Sequence, residues 1–179
     1  MASTAARVVV LGTGGTIAGT AAQPTDGVGY RAATLGVERL VAGVPALAGQ
    51  ALECEQVAQL DSKDMEPAVW QALAAAVTRH QRRPEVAGIV VTHGTDTLEE
   101  SAYFLHRVLA ATKPVVMTAA MRPASALSAD GPQNLFDAVT LARSGAWCGV
   151  QAVLGGQVFG AVDLRKRHGW RIDAFDGGD

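Results

Sequence analysis

Val8-Val9-Val10-Leu11 runs straight into Gly12-Thr13-Gly14-Gly15-Thr16, and the reading of this stretch decides the fold. A continuous β-branched run of this kind is the mark of a strand buried on both faces of a parallel sheet. A second stretch repeats the design: Gly88-Ile89-Val90-Val91 feeds Thr92-His93-Gly94-Thr95-Asp96-Thr97. Ligands of such sheets bind just beyond the carboxyl ends of the strands. Two loops rich in hydroxyls and bare backbone N–H groups at that edge point to covalent acyl chemistry. Each offers a threonine nucleophile, and the glycines let the backbone approach a substrate closely.

Working outward, strand and helix signals alternate, which predicts an α/β fold with a mostly parallel open sheet flanked by helices. The first strand is expected at Arg7–Leu11, followed by a polar loop through Gln23, Pro24, Asp26, Gly27, Gly29 and Tyr30, a length typical of an active-site lid. A helix is expected through Val37, Leu40 and Val41, stopping near Gly43-Val44-Pro45. A strand at Leu52–Leu60 leads to Asp61-Ser62-Lys63-Asp64. Pro67 then fits a first helical turn, with Val69, Trp70, Leu73 and Val77 at helical spacing. After the strand at Ile89–Val91, Thr97 and Glu100 form a capping-box pair, and Leu98, Ala102, Leu105, Val108 and Leu109 mark a buried stripe. A strand at Pro114–Thr118, an irregular loop, a helix at Gln133–Arg143, and two strands flanking the hairpin signal Gly155-Gly156 complete the pattern. The remainder, Asp163 to Asp179, is mixed.

A chain of 179 residues suits one domain, and at this size roughly 70% of the unfolded surface can be buried. Apolar residues make up 49% and charged ones 18%, which excludes a disordered chain. A formal net charge of −2 gives no electrostatic case for nucleic acid or anionic membranes as partners. Arg165-Lys166-Arg167-His168 is too short to make a basic patch. Cys54 and Cys148 fit no zinc or redox spacing and are expected as buried free thiols. No run of about 18 apolar residues is present, and Val8–Leu11 is shorter than the about 7–15 apolar residues of a secretory signal. A cytoplasmic location is therefore expected.

Phosphate-binding alternatives fail on individual positions. Gly12 and Gly14 begin a dinucleotide fingerprint, but Ile17 stands where its third glycine belongs. Gly14 and Gly19 begin a phosphate loop, but Thr20-Ala21 replaces its lysine and hydroxyl. Any single threonine after a strand is more often a helix cap than a nucleophile. Two such loops, with Ser62 after a further strand, make coincidence less comfortable. His93 is as fit for a hydrogen-bonded structural role as for a general base, and His80 and His106 fall in helical stretches without a site signal. Asp96 could receive a cationic substrate amine or cap the following helix.

Thr13-Gly14-Gly15-Thr16-Ile17-Ala18-Gly19, Thr92 to Glu100, Ala120-Met121-Arg122-Pro123 and Ser128-Ala129-Asp130-Gly131-Pro132-Gln133-Asn134-Leu135 together resemble the bacterial-type L-asparaginase family. The resemblance covers nearly the whole chain and implies roles position by position. Thr16 looks like the threonine that attacks the side-chain amide carbon, and Tyr30 like the tyrosine that supports it. Thr95 looks like the second catalytic threonine, paired with Lys166 in the place of the family's base-assisting lysine. Asp96 resembles the carboxylate that holds the substrate's α-amino group, and Ser62 the serine that contacts the α-carboxylate. Lys63, Gly15, Gly94 and Ala120 complete the implied substrate contacts. Lys63 itself departs from relatives, which often carry an amide or small residue there.

The implied chemistry needs no metal or organic cofactor: a hydroxyl attacks an amide, ammonia leaves, and water releases the acyl group. A lysine serves as base only when burial or charge lowers its pKa from about 10.4. The resemblance implies residues 1–179 to be the large N-terminal catalytic domain of a longer two-domain protein, with the smaller C-terminal domain missing and a homo-oligomer completing the site. The ending Asp173 to Asp179 looks like a mid-chain stretch of the family. Other readings are a low-activity domain that only binds amino acids, and an ammonia-supplying amidotransferase subunit.

Overall fold

The computed structural model describes residues 6–26 and 29–178. Gly27 of the expected lid, the Met1–Ala5 start and Asp179 lie outside the described residues. Along the chain come β1 (Arg7–Gly14), β2 (Thr20–Ala21), β3 (Tyr30–Arg31), α1 (Val37–Ala42), β4 (Leu52–Leu60), α2 (Pro67–Gln81), β5 (Val86–Thr92) and α3 (Leu98–Val108). They are followed by β6 (Pro114–Thr118), α4 (Gly131–Ser144), β7 (Gly149–Leu154), β8 (Gln157–Gly160), β9 (Arg165–Lys166) and β10 (Phe175–Asp176).

The main sheet has the order β4-β1-β5-β6-β7-β8. Every pairing in it is parallel except that of β7 with β8. β1 lies between β4 and β5, with Val10 beside Cys54 on one side and Val90 on the other. The chain leaves β1 for β4 on one flank and returns to β5 on the other. The strand order thus reverses between β1 and β5, and at such a point the loops leaving adjacent strands part and open a crevice. Those two loops are the glycine-threonine stretches.

Alternation along the central strands builds two cores, because successive side chains of a strand point to opposite faces. Val9 and Leu11 of β1, Ile89 and Val91 of β5, and Val115 and Met117 of β6 pack with α2 and α3 through Leu73, Val77, Leu98 and Leu105. Val8, Val10, Val90 and Val116 face the other way and pack with α1 and α4 through Val37, Leu40, Leu135 and Val139. Each fully buried Val or Leu stabilises the fold by about 1.5–3 kcal/mol, which makes these two layers the frame on which the loops are held.

Several expectations are refined. β1 runs on to Gly14, because Gly12 keeps its ladder partners Gln56 and Thr92 on both sides. The polar loop contains a small antiparallel hairpin, β2 with β3. Thr97 does precede α3, yet no side chain caps that helix; the Thr97 hydroxyl instead donates to the Ser62 carbonyl at 2.9 Å. Val108 is exposed rather than part of the buried stripe, since it sits on the shoulder of the line Leu98–Ala102–Leu105. Both cysteines are free, but Cys54 is half-buried and Cys148, in the turn before β7, is exposed. No helix among the described residues is long and apolar enough to cross a membrane.

Candidate active site

The two glycine-threonine loops touch through their backbones. A Cβ built on Gly15, where φ is 79°, would fall onto the Cα and N of Gly94. A Cβ on Gly94 would in turn strike the Ser62 side chain. No residue but glycine fits this junction, which joins the backbones leading to Thr16 and Thr95, each the next residue along, at the switch point. Thr13 reinforces the junction by donating its hydroxyl to the Thr92 carbonyl at 3.0 Å.

Each threonine has its own polar partner. Thr16 begins a short 3-10 turn, Thr16–Ala18, and is 8% exposed; its hydroxyl shares a hydrogen bond of 2.7 Å with the Tyr30 phenol on β3. Thr95 is 6% exposed, and its hydroxyl accepts from the Lys166 ammonium at 2.9 Å. The same ammonium donates to Asp96 Oδ1 at 2.6 Å. Lys166 arrives from the far end of the chain on β9, which pairs with β10 through Phe175. Its backbone N–H donates to the Glu99 carboxylate on α3, fixing where the side chain begins. Ser62, 2% exposed, accepts the Asp96 N–H at 3.2 Å.

The structure therefore brings together Gly15, Thr16, Tyr30, Ser62, Gly94, Thr95, Asp96 and Lys166. Ala120 is buried just past β6, next to the start of α4. Lys63 behaves differently: its ammonium is held by Asp61 at 3.2 Å and Asp64 at 2.8 Å, and those carboxylates raise its pKa.

His93 is structural in its bonding. A carbonyl can only accept, so Nδ1–H donates to the Gly94 carbonyl at 2.8 Å and Nε2 accepts from the Ser101 hydroxyl at 2.9 Å. Ser101 in turn accepts from the Trp70 indole at 2.7 Å, and Trp70 stacks on Phe104 with centroids 5.7 Å apart. Complete burial pushes the His93 pKa from 6.5 down to about 4. The ring thus stays neutral at ordinary pH and braces the turn that presents Thr95.

Sequence reasoning passed over two residues that shape the site. Asp130, just before α4, accepts the Met121 and Arg122 N–H groups, both at 2.9 Å, and the Asn134 side-chain amide at 3.3 Å. Asn134 donates to the Ala119 carbonyl at 2.9 Å and accepts the Gly155 N–H at 3.0 Å. The available signal was their place in the Ser128–Leu135 motif.

Comparison with known proteins places this arrangement in a lineage. The family description "Asparaginase, N-terminal" matches residues 7–179. A glutaminase-asparaginase of Pseudomonas fluorescens biotype A is 41% identical over 173 residues, covering 95% of this chain and 48% of the relative. A protein described as a probable periplasmic L-asparaginase of Haemophilus influenzae is 39% identical over 171 residues, covering 94% of this chain and 48% of the relative. A crystal structure described as a probable cytoplasmic L-asparaginase from Campylobacter jejuni matches with a TM-score of 0.91 and 38% identity, over 96% of this chain and 53% of that one. The chain spans about half the length of the curated relatives it matches.

Proposed function

The chain belongs to the asparaginase family through its N-terminal domain, and on that premise we propose that it hydrolyses L-asparagine to L-aspartate and ammonia. Thr16 Oγ1 bonds to the side-chain amide carbon while its proton leaves through the Tyr30 phenol, 2.7 Å away. The Tyr30 phenol passes that proton to the amide nitrogen, the C–N bond breaks, ammonia leaves and an ester remains on Thr16. Water, oriented by the Thr95 hydroxyl that the Lys166 ammonium holds, then attacks that ester; one of its protons returns through Tyr30 to Thr16 Oγ1 as the C–O bond breaks, the other goes to the released ammonia, and aspartate departs with Thr16 restored. Backbone N–H groups of the glycine turns stabilise the oxyanion, each such donor contributing about 3–4 kcal/mol in the transition state. Asp96 receives the α-ammonium and Ser62 the α-carboxylate. Because Asp96 already holds Lys166, an arriving ammonium competes for that carboxylate and couples substrate binding to the lysine.

The observation that supports this reading is the contact of Gly15 with Gly94, which joins the two loops at the strand-order reversal, while each threonine hydroxyl has a separate partner. The test is ammonia release from L-asparagine by the purified chain and by Thr16→Ala. Loss of at least about 10³-fold in kcat is expected, since removing a nucleophile abolishes the covalent route. Equal rates for the two proteins would reject the assignment.

A further inference from the structure

The segment Met121–Leu127 touches both halves of the site. On one side it holds the base of the β2–β3 hairpin, which carries Tyr30. Ala124 N–H donates to the Gly19 carbonyl at 2.9 Å, Ala21 N–H to the Ser125 hydroxyl at 2.8 Å, and Leu127 N–H to the Pro24 carbonyl at 3.2 Å. On the other side it holds the loop between β9 and β10, the hairpin that carries Lys166. The Arg122 guanidinium lies 4.6 Å from the centroid of the Trp170 ring and donates from Nη1 to the Trp170 carbonyl at 2.7 Å. Asp130 anchors the segment from beneath by accepting the Met121 and Arg122 N–H groups.

Trp170 is 53% exposed, so its ring is not there to fill the core. Its contact with Arg122 is a point-to-point tether, with a ring face and a carbonyl engaged by one planar cation. Tyr30 and Lys166 themselves are delivered by separate hairpins far apart in sequence.

We propose that Arg122 and Trp170 are positioning residues, and that Met121–Leu127 is a strut that keeps the Lys166 hairpin in register with the Tyr30 hairpin. The inference rests on the roles proposed above for Tyr30 and Lys166, but it has a readout that does not need activity. In the full chain, amide hydrogen exchange at Ala21 and Ala124 is compared for Trp170→Ala, Trp170→Phe and Arg122→Met, with Val10 in the central strand as the internal reference.

Trp170→Ala removes only the ring and is expected to speed exchange at Ala21 and Ala124 about threefold to fivefold. Arg122→Met removes both contacts and is expected to speed it about tenfold or more. Trp170→Phe keeps a ring face and the carbonyl, and is expected to restore the native rates, with Val10 unchanged throughout. Native exchange at Ala21 and Ala124 in both Trp170→Ala and Arg122→Met would overturn the strut. In ammonia assays, Trp170→Ala is expected to lower kcat with KM held, and its effect is expected to be non-additive with that of Tyr30→Phe. If the native chain releases no ammonia, the functional reading falls while the exchange comparison still decides the strut.

Discussion

At the amino-terminal edge of the sheet, charged groups close on one another; at the carboxyl edge, hydroxyls stand with one partner each. Glu53 accepts from Arg83 at 2.7 Å and from Arg7 at 2.9 Å. Arg83 also reaches Glu85 at 2.9 Å, and its Nη1–H donates to His80 Nδ1 at 2.9 Å. That leaves His80 Nε2–H to donate to Glu55 at 2.7 Å, where Arg79 also binds. Such a network has little capacity left for a ligand and serves to hold strand starts together. At the other edge, Thr16 and Thr95 are almost buried, yet each hydroxyl has hydrogen-bonding capacity in reserve. The same fold thus closes its polar groups on one another at one end and leaves hydrogen-bonding capacity open at the other.

The sharpest way to break this contrast is at the junction of the loops. Gly15→Ala forces a Cβ into the Gly94 backbone and strains a φ of 79°. A loss of about 3 kcal/mol or more in unfolding free energy is expected from clash and strain together, along with loss of activity. Denaturant titration and ammonia assay check both.

His93 is next. Replacing it with phenylalanine strands the Gly94 carbonyl and Ser101, for an expected cost of about 2–3 kcal/mol in denaturant titration. Its titration also separates the two edges. The unfolded ring takes a proton near 6.5 and the native one only at about 4, so stability falls as pH drops through that window, by up to about 3 kcal/mol. Glu53 responds later: its two guanidiniums hold its carboxyl down from 4.5 to about 2, so its contribution is lost only as pH falls through that lower range. Unfolding titrations from about pH 7 down to about pH 2 are therefore expected to show two declines, the first absent in His93→Phe. Glu53→Gln is expected to shrink the second, to which Glu55 and Glu85 of the same network also contribute, and to cost about 1 kcal/mol at neutral pH, because solvent screens a partly exposed pair.

The smallest effect is expected at Lys63, whose ammonium is solvent-exposed between Asp61 and Asp64. Lys63→Gln is expected to leave the denaturation midpoint essentially unchanged. A larger change on denaturation would mean that this surface cluster resembles the amino-terminal network.

What was legible beforehand follows the same division. The β-branched runs Val8–Leu11 and Ile89–Val91 announce central strands because burial on both faces leaves no polar position. Pro67, Leu73 and Val77 announce α2 because their spacing repeats with the helix, and Gly155-Gly156 announces the β7–β8 hairpin. The paired threonine loops were legible as local motifs. Hidden features depend on residues distant in sequence. β9 and β10 are two residues each and carry no periodicity. Thr97 has the composition of a capping box, but the Ser62 carbonyl competes successfully for its hydroxyl. His80 looked inert in its helix because its partner Glu55 comes from β4. Asp130 stood only as one letter of the Ser128–Leu135 motif, because its carboxylate's partners, the Met121 and Arg122 N–H groups, lie in the loop after β6.

A crystal of this chain soaked with L-aspartate gives the most direct test of whether the two threonines serve one ligand. The predicted result is a side-chain carboxylate within hydrogen-bonding reach of both Thr16 Oγ1 and Thr95 Oγ1, with the α-amino group on Asp96 and the α-carboxylate on Ser62. Aspartate seated elsewhere, or in contact with only one of the two hydroxyls, would contradict it.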